Sequence, residues 1–232
     1  MYKFEIHLHT NKCSACGVSS AEEMIDAAAE HGYSGIVITN HFYHGNTAVD
    51  RRLPWEDFVG AYAEDYEAAK EYGKAKGITI FFGIEEGFAP GKEMLIYGLK
   101  PEDLSKHPEF VKMSAKEKTD FVRTLGGLCV CAHPFRDRDY IPEPNTPPDP
   151  DLFDGIEGFN FCNRVEENEK AFVFALNNKK FITSGSDTHK CNNFGNAGIG
   201  FDTPVTDYKE FIEKMKKGEF KLIYPQKEIY GE

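Results

Sequence analysis

Residues 35–41 are Gly-Ile-Val-Ile-Thr-Asn-His, a continuous apolar run that ends in polar side chains. A short run that is apolar at every position is typical of a strand buried on both faces. Strands of this kind occur in parallel sheets whose two faces are covered by helices. The stretch therefore predicts an α/β fold in which a central strand carries a histidine, His41, at its carboxyl end.

Short apolar runs alternate with helical stretches along the rest of the chain. Ser20-Ala21-Glu22-Glu23 has the capping-box pattern that begins a helix, and Gly77 ends the longest helical stretch. We expect strands near 3–8, 35–39, 78–84, 94–98, 128–132, 154–159, 181–184 and 220–224, and helices near 20–30, 55–76, 115–125, 166–179 and 207–217. A Gly-rich turn is expected at 195–200 and a proline-rich loop or lid at 136–151.

This alternation implies a parallel sheet, and the period alone leaves an open sheet and a closed barrel as alternatives. The sequence contains no internal repeat, no low-complexity segment and no linker that would divide it. We therefore expect one domain over residues 1–232.

Composition limits the possible partners. The 232 residues include 38 acidic and 27 basic side chains, for a formal net charge of -11. Binding to long nucleic acids or anionic membranes needs an extended basic face, which this sequence does not offer. It also lacks an apolar run of roughly 20 residues and a signal peptide, so we expect a cytoplasmic protein that does not enter membranes. Its six cysteines are then expected to be reduced.

Imidazole and carboxylate side chains fall at the ends of the predicted strands. His7 and His9 lie two residues apart, so they point to the same side of the first strand. Asp187 and His189 have the same spacing after strand 181–184. In parallel α/β folds, functional side chains collect at the carboxyl ends of strands, and this donor set suits zinc, manganese or iron. The full set at this edge is His7, His9, His41, Glu85, His133, Glu157, Asp187 and His189.

Five motifs extend the argument to a known family. They are His7-Leu8-His9-Thr10, the run 35–41, Gly83-Ile84-Glu85, Ala132-His133-Pro134, and the stretch 185–189. In this order and over almost the whole chain, they resemble the PHP-domain family (polymerase and histidinol phosphatase). The resemblance implies a distorted (β/α)7 TIM-like barrel with two or three divalent ions, zinc, manganese or iron, at the C-terminal rim.

The resemblance also implies how the ligands are shared among the ions. Glu85 would bridge two ions, with His7, His9 and Asp187 on the first and His133 on the second. His41 and His189 would hold a third ion. Many family members have an acidic or histidine ligand for the third ion shortly after the first motif, where this chain has Cys13-Ser14-Ala15-Cys16. Cys16 is therefore a candidate substitute. Family members often have a further histidine or acidic ligand on the strand after the bridging glutamate, and Glu93 is the residue nearest that position.

The activity implied by this arrangement is hydrolysis of a phosphate ester. Paired ions would activate a bridging water as hydroxide, with Glu85, Asp187, His189 and Arg136 as the candidate catalytic groups. Arg136 is the candidate phosphate clamp because a guanidinium matches phosphate in a bidentate fashion. Lys190 is a further candidate for binding the substrate. We expect that substrate to be a small-molecule phosphomonoester, such as a histidinol-like, nucleotide or sugar phosphate.

The sequence leaves three other functions open. The chain could be a phosphodiesterase or nuclease that acts on short nucleotides, although its net charge argues against long polyanions. It could be a metal-binding module without activity. A metal-dependent C–N hydrolase uses similar histidine geometry, but it normally has a lysine on a middle strand where this chain has Glu85.

Overall fold

The computed structural model describes residues 1–225, which fold into a nine-stranded mixed sheet covered by helices. The strands lie in the order β7-β6-β5-β4-β3-β2-β1-β8-β9. In chain order the main elements are β1 (Tyr2–Glu5), α1 (Ala21–Glu30), β2 (Gly35–Ile38), α2 (Trp55–Lys76), β3 (Thr79–Ala89), β4 (Lys92–Tyr97), α3 (Pro101–Ser105), α4 (Ala115–Thr124), β5 (Leu128–Ala132), β6 (Gly155–Asn160), α5 (Val165–Asn177), β7 (Phe181–Gly185), β8 (Gly198–Phe201), α6 (Tyr208–Lys217) and β9 (Lys221–Ile223).

The sheet curls into a nearly closed barrel. The edge strand β7 approaches β9 at the opposite edge of the sheet. There the Ser184 hydroxyl donates a hydrogen bond to the Ile223 carbonyl at 2.6 Å. The same hydroxyl accepts a bond from the Gly198 amide at 3.3 Å. The expectation of a distorted TIM-like barrel is confirmed.

Local sequence signals explain the helix ends. Ser20 and Glu23 form the expected capping box, with reciprocal bonds of 3.2 and 2.8 Å between side chain and backbone. Helix α2 ends at Gly77, whose φ of 72° is the left-handed conformation that glycine adopts most readily. Within residues 1–225, none of the helices has both the length and the apolar character needed to cross a membrane.

The sheet is only partly parallel, whereas the alternation of elements implied a parallel one. Strand β4 runs antiparallel to both β3 and β5, and β8 runs antiparallel to β1 and β9. Strand β3 continues five residues beyond its expected end and joins β4 through only Pro90 and Gly91. A connection this short can join only antiparallel strands, because a parallel pair needs a crossover of a dozen or more residues.

Two strand boundaries also differ from expectation. The segment 195–200 was expected to be a turn, but it contains the start of β8. A Cβ at Gly198 would overlap the Phe4 carbonyl oxygen, so this glycine allows β8 to lie close against β1. Strand β1 ends at Glu5, and the chain beyond it pairs instead with the segment after β7, through Asp187 N to His7 O at 2.8 Å and His9 N to Thr188 O at 2.9 Å.

The end of the barrel opposite these strand termini is filled by apolar side chains. Phe211 on α6 packs its ring 5.4 Å from that of Phe4 and 5.1 Å from that of Phe81, measured between centroids. Leu95 and Val130 join the same buried cluster. Residues 81 and 85 lie on the same face of β3, so the apolar packing supports the floor of the barrel beneath Glu85.

Candidate metal centre

The ends of the central strands bring the imidazole and carboxylate groups together at one rim of the barrel. Two of them have backbone conformations that residues other than glycine rarely adopt: φ is 28° at His133 and 53° at Asp187. His133 directly follows β5, and Asp187 comes two residues after the end of β7. Strained backbone of this kind is kept where the surrounding structure imposes it and occurs often at functional sites.

Glu85 lies at the middle of the cluster and faces four imidazoles. Its Oε1 is 3.2 Å from His7 Nε2 and 3.0 Å from His133 Nε2. Its Oε2 is 3.3 Å from His9 Nε2 and 2.9 Å from His41 Nδ1. A carboxylate that faces four imidazoles through its two oxygens can act as a ligand shared between two ions.

Two further carboxylates flank Glu85. Asp187 Oδ1 lies 3.5 Å from His7 Nε2 and 3.1 Å from His9 Nε2. On the other side, Glu93 Oε1 lies 3.2 Å from His41 Nδ1, and its Oε2 lies 3.5 Å from His133 Nε2. The structure therefore brings Glu93 to the cluster, as the sequence predicted.

The hydrogen bonding of this cluster is incomplete in a way that fits divalent metal ions. His7 Nε2, His9 Nε2, His41 Nδ1 and Glu85 Oε2 are buried and have no hydrogen-bond partner in the part of the chain that the structure describes. Buried polar atoms are nearly always paired, so four unpaired atoms facing one another call for a ligand. Nitrogen and carboxylate oxygen are common donors to zinc, manganese and iron.

Charges within the cluster hold both central carboxylates in the ionised form. Burial would raise the pKa of Glu85, but the neighbouring His7 and His41 outweigh burial and place that pKa well below its usual value. Burial likewise opposes ionisation of Asp187, whose pKa is held well below its usual value by Arg136 and His7.

Other side chains orient the histidines through their second ring nitrogens. His7 Nδ1 lies 2.8 Å from Glu157 Oε1, while Glu157 Oε2 accepts bonds from the His133 amide at 3.0 Å and from Asn160 Nδ2 at 2.9 Å. His9 Nδ1 lies 3.0 Å from the Ser14 hydroxyl. Outer partners of this kind fix the tautomer and the ring orientation of a metal ligand. Glu157 was expected among the groups at this rim. It contacts the Nδ1 side of the His7 ring, whereas Nε2 of that ring faces Glu85.

Cys16 and His189 form the outer side of the cluster. Cys16 Sγ lies 3.1 Å from His189 Nε2, and His189 Nδ1 lies 2.8 Å from the Asp187 carbonyl oxygen. Burial raises the pKa of the Cys16 thiol, but hydrogen bonds with His189 and His41 outweigh it and lower that pKa to about 5. The sequence predicted Cys16 here only as a substitute for a family ligand.

The two basic candidates differ in position. Arg136 is at the site, where its Nη2 donates to Asp187 Oδ2 at 2.5 Å and to Asn160 Oδ1 at 3.1 Å, and its Nε donates to Asn163 Oδ1 at 3.0 Å. It therefore does not present the free two-nitrogen fork that a simple phosphate clamp would need. Lys190 is exposed, and its ammonium makes no contact with the cluster within residues 1–225.

Sequence reasoning missed the side chains that support His9. Ser14 bonds to Asn40, Asn40 to Thr10, and Thr10 to Asp65 on α2, in a buried network behind the first motif. Ser14 lies next to the expected motif, so its position was a usable signal. Asp65 had none, because it lies in the middle of a long helix 55 residues from Thr10.

A nearly closed barrel with an imidazole–carboxylate cluster at the carboxyl ends of its strands defines a metal-dependent hydrolase as the class. The chain belongs to the PHP-domain family, whose model matches residues 5–181. A second model, described as PHP-associated, matches residues 165–220. The predicted family is confirmed, and with it the class of metal-dependent phosphoesterases; the prediction of one domain over residues 1–232 stays a prediction.

The individual proteins that the chain resembles have low sequence identity to it. The chain is 28% identical over 104 residues to the PolC-type DNA polymerase III of Streptococcus pneumoniae, a match that covers 45% of this chain and 6% of the polymerase. The chain thus spans only a small fraction of the curated relatives it matches.

Two solved structures share the fold across nearly the whole chain. One is a two-domain protein from Bacteroides vulgatus containing a predicted PHP-like metal-dependent phosphoesterase (TM-score 0.69, 15% identity, covering 96% of this chain and 64% of that one). The other is PsfC from Pseudomonas syringae (TM-score 0.63, 14% identity, covering 98% and 93%). At this identity the likeness shows the fold alone.

Proposed function

We propose that this chain hydrolyses phosphomonoesters of small molecules, with at least two divalent ions held around Glu85. The observation that carries the proposal is that Glu85 faces four imidazoles through its two oxygens. One ion would be held by Glu85 with His7, His9 and Asp187. The other would be held by Glu85 with His133 and Glu93. When bound, such ions supply Lewis-acid activation of water and neutralise phosphate charge.

The protein's own side chains hold this arrangement in place. Both oxygens of Asp187 are engaged, one by the imidazoles and the other by Arg136, so we assign it a ligand role rather than proton donation. The Arg136 side chain is 12% exposed, and Nη1 is the one guanidinium nitrogen without a hydrogen bond among the described residues. We infer that Nη1 contacts the substrate phosphate while Nη2 holds Asp187. The role of His189 as a general acid stays a prediction.

Access to the cluster favours a terminal phosphate. His7, His9 and Glu85 are completely buried, whereas the side chains of Glu93 and His189 are 20% and 26% exposed. We infer that a phosphate reaches the cluster past these two side chains. A monoester can do so with its single substituent pointing outward. A diester within a polymer would have to bring two flanking groups past the same two side chains.

A second candidate is a phosphodiesterase that acts on short nucleotides. The similarity to PolC-type polymerases favours it, because those relatives are DNA polymerases by name. The net charge of -11 weighs against long nucleic acids for either activity. Substrate preference is therefore the measurement that separates the two candidates.

The test compares p-nitrophenyl phosphate with bis(p-nitrophenyl) phosphate and thymidine 5′-(p-nitrophenyl) phosphate, using protein reloaded with zinc or manganese. We expect kcat/KM to be highest for the monoester. His7→Ala should lower it by at least about a hundredfold, since even an outer partner of a ligand contributes about 10–100-fold. The matched control is His107→Ala, which removes a surface histidine paired with Glu109.

Each other outcome has a definite meaning. Higher kcat/KM for either diester would replace the monoesterase with the phosphodiesterase. Full metal content without turnover of any ester would leave a metal-binding module. Equal activity of the His7→Ala and His107→Ala variants would remove the metal centre from the mechanism.

A further inference from the structure

We propose that Glu5 is a positioning residue of the metal centre, whose carboxylate fixes the backbone around the first ion without binding that ion. The first ion is the one assigned above to Glu85, His7, His9 and Asp187. This inference rests on the proposed metal centre and deepens it by giving a role to a buried side chain behind the cluster. Among residues 1–225, the groups whose donor atoms could share one ion do not include Glu5. Its effect must therefore pass through the backbone that carries the ligands.

One oxygen of Glu5 accepts three backbone hydrogen bonds. Glu5 is the last residue of β1 and is completely buried. Its Oε1 accepts from the amides of Ile6 at 2.9 Å, His7 at 3.0 Å and Ser186 at 3.0 Å. The first two amides belong to the chain that leaves β1, and the third belongs to the chain that leaves β7. A single carboxylate oxygen thus joins two segments that are distant in the sequence.

The three amides lie just beyond the ends of their strands. Strand β1 pairs with β2 only as far as Glu5, and β7 ends at Gly185. Ile6, His7 and Ser186 are all completely buried. A buried amide without an acceptor costs free energy, so nearly all such groups are paired. Glu5 is therefore the acceptor that allows both strands to end at this point of the barrel.

The same bonds bear on the ligands of the first ion. The His7 amide donates to Glu5, and the His7 carbonyl accepts from the Asp187 amide at 2.8 Å, so the backbone of this ligand is held on both sides. Asp187 directly follows Ser186 and has a φ of 53°. Residues other than glycine keep such a conformation only where neighbouring contacts impose it. The bond from the Ser186 amide to Glu5 is one of these contacts, and it helps to aim the Asp187 carboxylate at the imidazoles.

Other groups hold the segments that carry the ligands of the second ion. That ion is assigned to Glu85 with His133 and Glu93, which lie directly after β5 and on β4. In sheet order, β2 and β3 separate β4 from β1. The His133 amide donates to Glu157 at 3.0 Å. Loss of the Glu5 bonds should therefore weaken binding of the first ion and leave the second ion nearly unaffected.

Two variants separate the position of the acceptor from the charge of the carboxylate. Glu5→Gln keeps an acceptor oxygen at the same reach from the backbone but removes the charge. Glu5→Asp keeps the charge but shortens the side chain by one methylene group, which moves the oxygen away from the three amides. If the position of the acceptor sets the affinity, Glu5→Gln should resemble the wild type and Glu5→Asp should not. If the charge sets the affinity, the order of the two variants is reversed.

The measurement is stepwise chelator competition on zinc-loaded protein, which gives a separate affinity for each of the two ions. The variants His9→Ala and His133→Ala identify which affinity belongs to which ion. We expect Glu5→Asp to weaken the first ion by at least about tenfold, the order found for outer partners of metal ligands, with little change at the second ion. Glu5→Gln should keep both affinities close to those of the wild type.

Asp154→Ala controls for a general loss of backbone bonding. Asp154 Oδ2 accepts from the Cys129 amide at 2.8 Å, so this carboxylate also joins two segments of the barrel. It directly precedes β6, at the end of the barrel opposite the cluster. Asp154→Ala should lower the free energy of unfolding of the metal-free protein and leave both metal affinities unchanged. Denaturant unfolding of every metal-free variant separates this effect on the fold from an effect on the metal centre.

Two results would overturn the inference: wild-type affinities for both ions in Glu5→Asp, or a loss of the first ion in Glu5→Gln as large as that in Glu5→Asp. If Glu5→Asp does not fold, a loss of about tenfold in Glu5→Gln overturns the inference by itself. The proposed function fails separately. A wild type that holds both ions but hydrolyses none of the p-nitrophenyl esters would remove the phosphatase, and the affinities of the Glu5 variants would still decide the role of Glu5.

Discussion

At the scale of single residues, Arg136 connects the metal centre to the proposed phosphate position. Its bonds to Asp187 and Asn160 tie the guanidinium to a metal ligand and leave Nη1 for substrate. We expect Arg136→Ala to raise KM for p-nitrophenyl phosphate by about tenfold or more and to weaken metal binding at Asp187. Arg136→Lys should recover part of the loss, because it keeps the charge without the fork.

Steady-state kinetics at saturating metal, together with chelator competition, distinguishes the two roles of Arg136. An unchanged KM with weakened metal binding would make it a positioning residue for Asp187 alone. An unchanged metal affinity with raised KM would leave only the phosphate contact.

Lys118 forms a buried ion pair on the outer face of the barrel, next to the centre but apart from it. Its ammonium contacts Glu86, and the two side chains are 3% and 0% exposed. Lys118→Met should lower the free energy of unfolding by about 3–5 kcal/mol, because it leaves Glu86 buried with half-exposed His44 as its remaining ionisable partner. The double variant Lys118→Met with Glu86→Leu should recover much of that loss. Denaturant unfolding measures both.

Lys116→Met is the matched control for this measurement. Lys116 pairs with Asp120 on the same helix, but its side chain is 74% exposed. Exposed pairs contribute little to stability, so this variant should unfold close to the wild type. An equally small loss for Lys118→Met would show that the buried pair is dispensable.

At the scale of elements, helix α2 supports a metal ligand through a chain of five side chains. For His9 to coordinate through Nε2, its Nδ1 must carry the proton and donate to Ser14. Ser14 then donates to Asn40 Oδ1 at 2.9 Å, Asn40 Nδ2 to Thr10 Oγ1 at 2.7 Å, and Thr10 to Asp65 at 2.5 Å. Every donor points the same way, toward a carboxylate on α2.

Breaking this chain should weaken metal binding without unfolding the barrel. Thr10→Val keeps the side-chain shape but removes the hydroxyl, so we expect about a 10–100-fold loss of affinity for the ion at His9. Thr10→Ser keeps the hydroxyl and should bind metal nearly as well as the wild type. Competition with a chelator measures both, and equal affinities would show that the network has no part in orienting His9.

The helices and strands also show which parts of the fold could be predicted from the sequence. Helix α2 has its expected bounds because Gly77 ends it locally. The direction of β4 was not predicted because strand β3 was expected to end at residue 84. With that boundary, nothing indicated that Pro90 and Gly91 form a two-residue turn between β3 and β4. Glycine at 198 was taken as a turn signal, but it serves close packing against Phe4. Such contacts depend on which strands become neighbours, which no local pattern states.

The candidate site was more predictable than the sheet. Its ligands follow strands, and strand ends meet wherever the barrel closes, so His7, Glu85 and Asp187 could be grouped before their distances were known. Asp65 could not, because its contact with Thr10 joins a helix interior to a loop. The restraint on Arg136 by Asn160 and Asn163 was hidden because it joins the loop after β5 to the end of β6 and the turn that follows it.

At the scale of the whole molecule, metal removal should lower thermal stability. The barrel buries imidazole and carboxylate atoms that have no hydrogen-bond partner among the described residues. An ion that binds only the folded state adds about 4 kcal/mol at 1,000 times its Kd. For a chain of this size each kcal/mol changes Tm by about 2–4 °C, so chelation should lower Tm by roughly 10 °C. Differential scanning calorimetry with and without chelator measures the shift. Chelation should lower the Tm of His7→Ala much less than that of the wild type, and it should lower the Tm of His107→Ala as much as that of the wild type. An identical Tm for the wild type with and without chelator would mean that the cluster binds no ion tightly. The charges of the cluster would then be held by the protein alone.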